Sequence, residues 1–250
     1  MAAQRNWAGN YTYNALRTHR PETVDQVRAA VAASAKLRVL GSGHAFNGIA
    51  DSAADHLSLD GLERVADIDH ARRTVTVDGG MRYGWLAEHL HAAGYALPNL
   101  ASLPHISIAG ALATATHGSG DANRVLADAV AALELVRADG SLAELSRERD
   151  GASFAGAVVG LGALGVVTRI TLDLVPTFAV QQEVYENLPF DELAANFNPI
   201  MSNAYSVSLF TDWRGPTVNQ AWVKRLADDR GPQPIAAGFF GATPAPAPRH

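Results

Sequence analysis

The chain has 250 residues, of which 48% are apolar and 18% charged, and a net charge of −5. That composition describes a globular protein long enough to bury a core. It excludes a disordered chain and a general nucleic-acid binder, which needs a basic surface. No cysteine is present, which excludes disulfides and thiolate metal sites.

Residues 1–10 are polar and carry no apolar segment of the secretory type. Residues 21–36 read as a helix: Thr23 with Gln26 makes a capping-box pattern, and Val24, Val27 and Val31 recur on one face. Residues 37–40 read as a short buried strand and residues 56–59 as another. Two strand-like runs follow within 65–79, around a turn at 69–72; Thr74 to Asp78 alternates apolar and polar residues. Residues 83–93 are predicted to be helical, with Trp85, Leu86 and Leu90 as apolar positions and Gly94 as the stop. Between 101 and 120 small residues dominate. Residues 133–145 carry a hairpin signature around Ala138, Asp139 and Gly140.

Residues 151–168 lack charge but contain five glycines and are flanked by charged residues. A buried helix, turn and strand in series is the expected form, in preference to a membrane span. A long strand at 166–175 ends at Pro176, and strand-like runs recur at 205–210 and 221–226. Helices and strands mix without βαβ alternation, so the expected class is α+β. After Asp229 prolines, glycines and alanines without periodicity predict an unpacked tail over 230–250.

Two segments carry chemistry. Residues 37–47 run from an apolar strand into Gly41-Ser42-Gly43 and then His44. Glycines at such a turn let backbone N–H groups converge on an anion. The turn is not a Rossmann fingerprint, because Phe46 stands where the third glycine belongs, and no Gly-Lys-Ser/Thr of a Walker loop follows. By itself it also fits a structural turn that exposes a histidine. Residues 102–120 combine hydroxyls and backbone amides that suit phosphate and ribose oxygens; a tightly packed small-residue helix and loop fits equally well. Thr116 stands where a nucleophile elbow needs its first glycine, which argues against a serine hydrolase. His89 and His91 lie two apart on a helix and do not converge on a metal.

Taken together, RVLGSGHAFN (38–47), LPNLASLPHISIAGALATATHGSG (97–120) and GLGALGVVT (160–168) resemble the FAD-dependent oxidases of the vanillyl-alcohol oxidase superfamily. The alditol (xylitol or sorbitol) oxidase branch is the nearest likeness, beside the aldonolactone oxidases such as D-arabinono-1,4-lactone oxidase. Asn6-Trp7-Ala8-Gly9-Asn10 and YSVSLFTDWR (205–214) fit the same branch.

The resemblance implies a two-subdomain PCMH-type FAD-binding domain over 1–176, a partial α+β substrate domain over 177–229, and the tail over 230–250. It implies that Val39, Leu40, Gly41, Ser42, Gly43, His44 and Ala45 bind the cofactor, with the pyrophosphate on the amides of Gly41 to Gly43 and a covalent bond from His44 to the flavin 8α-methyl carbon. Ser107, Gly110, Thr114, Ala115, Thr116 and His117 would line the pyrophosphate and flavin, and Val166 and Val167 would contact the cofactor through backbone groups. Ser102 would lie near the flavin and touch a substrate hydroxyl, and the small Ala101 leaves room for oxygen.

The implied reaction oxidises a primary alcohol of a polyol to the aldehyde, with dioxygen reduced to hydrogen peroxide. The expected partners are polyol and dioxygen, without nucleic acid or membrane, in a cytoplasmic monomer. Members of the branch are longer than this chain, and their catalytic lysine and substrate-binding glutamate and arginine lie in a C-terminal part that it lacks. The catalytic residues are therefore unassigned.

Overall fold

The structure is a computed structural model that describes residues 4–227 and 238–247. The chain divides into two compact units: Met1–His117 with Val125–Pro176, and Gly118–Arg124 with Thr177–His250.

In the first unit, chain order is β1 (Arg17–His19), α1 (Val24–Ala33), β2 (Leu37–Val39), β3 (Asp55–Leu57), β4 (Ala66–Asp69), β5 (Thr74–Asp78), α2 (Tyr83–Ala92), β6 (Tyr95–Ala96), α3 (Ile108–Ala113), β7 (Val130–Val136), β8 (Leu142–Ser146), α4 (Arg147–Val158), β9 (Val166–Asp173) and β10 (Val175–Pro176). Strands β1, β3 and β2 form a parallel sheet with β3 central. A second, antiparallel sheet has the order β4-β5-β9-β7-β8, and β6 pairs with β10. Helices and two separate sheets mix without βαβ alternation, so the class is α+β, as expected.

The expected cap of α1 forms: Thr23 Oγ1 accepts from the Gln26 N–H at 3.2 Å. The Gln26 amide oxygen accepts from the N–H of Glu22, just before the cap, at 2.8 Å, which ties the entering chain to the first turn. Val27 and Val31 then face inward. They join Leu57, Leu59, Val136 and Val166 in an apolar cluster that ties the parallel sheet to the antiparallel one. The larger core lies on the antiparallel sheet, where Leu86 and Leu90 of α2 and Ile108 and Leu112 of α3 cover Val75, Val77, Ile170 and Leu172. The β7–β8 hairpin closes as its sequence predicts, with Gly140 at φ 80° and the Asp139 carboxylate accepting from the Ser141 N–H at 2.9 Å.

Residues 151–168 form the expected helix, turn and strand in series, but the helix is only partly buried. Helix α4 starts earlier, capped by Ser146, and its path breaks at Gly151 (φ 49°). Only Phe154 and Val158 of α4 are buried, because alanine and glycine on its other faces have little apolar surface to hide. Among the described residues no helix is long and apolar enough to cross a membrane.

The second unit holds β11 (Val180–Pro189), α5 (Phe190–Ala195), α6 (Phe197–Met201), β12 (Ser206–Phe210), β13 (Thr217–Leu226) and β14 (Thr243–Pro244). They form an antiparallel sheet of order β12-β13-β11-β14 around Tyr185, Leu188, Val207, Ala221 and Val223. The tail expectation needs correction for 238–247. Phe239 and Ala242 are buried, the Phe239 ring stacks on Tyr185 at 5.2 Å, and Thr243 and Pro244 pair with Glu186 and Tyr185. One aromatic anchor and an edge position that tolerates proline outweigh the tail's proline-rich, aperiodic composition. The remainder of the expected tail, 230–237 and 248–250, lies outside the described residues.

Candidate functional site

Strand β2 ends at Val39, half-buried beside the cluster that contains Val166. Leu40 is buried and its N–H donates to Leu57 O, which fixes where the chain leaves the sheet. The turn follows at once. Gly43 has φ +64°, a left-handed conformation that favours glycine.

The second motif meets this turn from 65 residues away: the Ser107 N–H donates to Ser42 Oγ at 3.4 Å. A Cβ on Gly41 would collide with Ser107 Oγ, and a Cβ on Gly110 would stand 2.7 Å from the same atom. Ser107 Oγ is itself buried and has no hydrogen-bond partner among the described residues. Two glycines thus frame an unsatisfied hydroxyl, an arrangement that calls for a ligand or water to complete it.

Helix α3 then ends in a Schellman arrangement. The Thr116 N–H donates to Ala111 O at 3.0 Å and the Ala115 N–H to Leu112 O at 3.2 Å. Ala115 takes the left-handed position, φ 54°, that glycine usually fills. The Thr114 hydroxyl donates back to Gly110 O at 3.0 Å and lies 3.3 Å from Thr116 Oγ1. His117 is exposed beyond it. Val166 is buried, and Val167 O lies against Gly79, where any Cβ would collide with it. Ser102 is exposed, and its hydroxyl makes no hydrogen bond among the described residues. The structure therefore joins Gly41, Ser42, Ser107 and Gly110 in one notch but records no such link for Ser102.

His44 stands beside that notch with Nδ1 buried and without a hydrogen-bond partner among the described residues. An N-terminal strap holds its backbone. The Trp7 N–H donates to Gly43 O at 2.8 Å, Asn6 Nδ2 to Ala45 O at 3.0 Å and Asn10 Nδ2 to Phe46 O at 3.2 Å. The Trp7 ring lies 4.6 Å from the His44 ring and stacks on His105 at 5.4 Å. Sequence reasoning quoted Asn6 to Asn10 only as a likeness; no local pattern shows that this segment folds over a turn more than thirty residues away.

Behind the turn lies a second polar group. Tyr13 is buried, with its hydroxyl 3.4 Å from where a Gly43 Cβ would stand. Its ring meets His56 edge-on at 5.2 Å. Burial, the Asp51 carboxylate and Tyr11 hold the Tyr13 hydroxyl above its ordinary pKa. Burial also pushes Asp51 up, yet donors from Asn14, Tyr11 and Ser52 together hold it below the ordinary carboxylate value. Among the described residues no group of three His, Cys, Asp or Glu side chains could hold a metal ion.

Residues 15–146 match the FAD binding domain family. The chain belongs to that family. The chain is 51% identical over 234 residues to an alditol oxidase of a Streptomyces species, covering 92% of this chain and 55% of that protein. It is 34% identical over 180 residues to a putative D-arabinono-1,4-lactone oxidase of Neurospora crassa, covering 70% of this chain and 32% of that protein. To the L-gulonolactone oxidase of Mus musculus it is 32% identical over 196 residues, covering 74% of this chain and 44% of that protein. The chain spans about half the length, or less, of these curated relatives.

The residues present fit FAD. The Gly41 to Gly43 turn offers bare backbone, Ser107 Oγ awaits a partner, and a buried imidazole nitrogen faces none.

Proposed function

We propose that this chain is the FAD-binding part of an oxidase that converts a primary alcohol of an alditol, such as xylitol or sorbitol, to the aldehyde. The meeting of the Gly41–Gly43 turn with Ser107 and Gly110, beside a buried partnerless nitrogen of His44, carries the flavin half of this reading. The greater identity to an alditol oxidase than to the lactone enzymes favours a polyol.

In this reading the amides of Gly41, Ser42 and Gly43 hold the pyrophosphate, with Val39, Leu40 and Ala45 setting the turn's entry and exit. Ser107, Gly110, Thr114, Ala115, Thr116 and His117 line the cofactor, and Val166 and Val167 meet it through the backbone. FAD supplies the two-electron oxidation of the alcohol carbon and returns the electrons to dioxygen, giving hydrogen peroxide.

His44 tethers the cofactor through its 8α-methyl carbon. Such a bond would replace one methyl C–H and one imidazole N–H by C–N, with the two electrons and two protons passing to dioxygen. The attacking nitrogen must present a free lone pair. The strap from Asn6 to Asn10 fixes the backbone on either side of that ring. Ser102 receives a substrate hydroxyl, and residues 177–229 open the substrate domain. The protein acts as a cytoplasmic monomer. No side chain of this chain is assigned to take the alcohol proton.

Anaerobic addition of xylitol or sorbitol to the flavin-loaded protein should bleach its visible flavin band, and air should restore the band with release of peroxide. Bleaching by sugar lactones but not by alditols would instead establish an aldonolactone oxidase or dehydrogenase. Absence of bleaching by either would mark a non-catalytic FAD-binding fragment.

A further inference from the structure

We propose that Trp7 is a further cofactor-binding residue, its indole forming the wall on which the dimethylbenzene half of the flavin lies. This rests on the reading of His44 as the attachment site. An exposed tryptophan presents a large apolar face to water. Trp7 is 57% exposed, yet its ring is not loose. It lies 4.6 Å from the His44 ring, tilted by 45°, and stacks on the His105 ring at 5.4 Å with planes 19° apart. Phe46, 59% exposed, meets the His44 ring edge-on at 5.6 Å. Two large exposed aromatic rings thus gather at the one imidazole that the flavin reading uses. Exposed apolar surface gathered in one place marks a binding surface, whereas scattered single residues do not.

The fold fixes the indole before any ligand arrives. Residues 4–13 close on themselves: Arg5 bridges Thr12, the Asn6 N–H donates to Tyr11 O at 3.0 Å and the Tyr13 N–H to Gln4 O at 2.9 Å. Asn6 is buried, and its side-chain oxygen accepts from the Tyr11 N–H at 3.0 Å. The Trp7 N–H then donates to Gly43 O, which seats this loop on the Gly41–Gly43 turn. His105, on which the indole stacks, is held in turn, since its carbonyl accepts from Arg82 Nη1 at 3.4 Å. A ring ordered in advance binds at a smaller entropic cost than a free one.

A single methylene joins the flavin to the imidazole in the His44 reading, so the dimethylbenzene ring lies among the rings that surround His44. Those rings are Trp7, Phe46 and His105 among the described residues. Trp7 offers the largest apolar face of the three, and its backbone bond to Gly43 O ties it to the turn itself. Stacking the flavin on that face removes apolar surface of both rings from water.

Trp7→Phe and Trp7→Ala keep the backbone N–H, so the bond to Gly43 O survives and only the ring changes. An indole in ring contact quenches flavin emission by donating an electron to the excited flavin, and phenylalanine does not. FAD-loaded wild-type protein should therefore emit weakly, and both FAD-loaded variants should emit several-fold more strongly. In the His44→Ala background, where no tether masks the equilibrium, adding Trp7→Ala should weaken FAD binding about tenfold, and adding Trp7→Phe should weaken it less. Unchanged flavin emission in both Trp7 variants overturns the proposal and leaves the His44 reading intact. Weaker binding without brighter emission also overturns it, since Trp7 then acts only through the strap. Failure of both variants to take up FAD overturns it as well, since the ring is then structural. Flavin released by acid from the wild-type protein overturns the His44 reading instead, and the emission of the variants still decides the indole contact.

Discussion

Ser107 Oγ occupies the space that a Cβ on Gly41 would fill. The glycine is therefore required by a serine from another segment, and not by its own backbone angles. Gly41→Ala should push Ser107 Oγ out of the notch. Ser107→Ala alone should weaken FAD binding about five- to tenfold, the worth of one ordinary hydrogen bond. Because the two residues share one space, the double variant Gly41→Ala/Ser107→Ala should bind FAD better than additivity of the single variants predicts. FAD titration by fluorescence quenching checks this; strict additivity would contradict the shared notch.

Gly43 is constrained differently. Its nearest neighbour to an added Cβ is Tyr13 Oη at 3.4 Å, which is ordinary contact, but its φ is +64°. Gly43→Ala should cost about 1–2 kcal/mol from the left-handed backbone alone, and Gly43→Val more, since branching at Cβ adds rotamer restriction. Chemical denaturation measures this. Unchanged stability in Gly43→Ala would show that the turn relaxes.

Ala115 gives the converse case. It holds φ 54° at the end of α3, where glycine carries no penalty. Ala115→Gly should stabilise the protein by up to about 1 kcal/mol. A lower melting temperature in that variant would contradict the Schellman assignment.

His56 is fully buried, and neither ring nitrogen has a hydrogen-bond partner among the described residues. Burial pushes its pKa below the ordinary 6.5, while the Ala50 backbone and the Asp51 carboxylate, 3.7 Å from Nε2, oppose that shift. The unfolded chain binds the proton more readily than the folded one, so stability is complete above pH 6.5 and declines as the pH falls below it. Melting curves at descending pH should show this decline, and His56→Phe should flatten it. An identical slope in the variant would place the sensitivity elsewhere, for instance in Asp55. That carboxylate is held below its ordinary value by its bond to Arg17, against burial, with help from Ser34 and His19.

Much of the fold was legible because its signals are local. The Thr23–Gln26 cap, the Asp139–Gly140 hairpin and the α2 face of Leu86 and Leu90 each depend on residues within a few positions of one another. The glycines at 41 and 43 were legible as a turn, though the reason for Gly41 lies in Ser107 and could not be read from the turn alone. The strap of Asn6 and Trp7 and the contact of His44 with His105 join segments far apart in sequence, so no periodicity announces them. Phe239 misled for a related reason: a single aromatic in an aperiodic stretch gives no pattern, yet it packs on Tyr185. The left-handed Ala115 was invisible because alanine, unlike glycine or asparagine, gives no signal of positive φ.

The attachment of flavin to His44 is tested most directly by acid precipitation of the purified, FAD-loaded protein beside its His44→Ala variant. The wild-type pellet should be yellow and its supernatant colourless, whereas His44→Ala should bind FAD less firmly and release all of it to the supernatant. A wild-type protein that surrenders its flavin to acid, or a His44→Ala variant that retains it, would contradict the account.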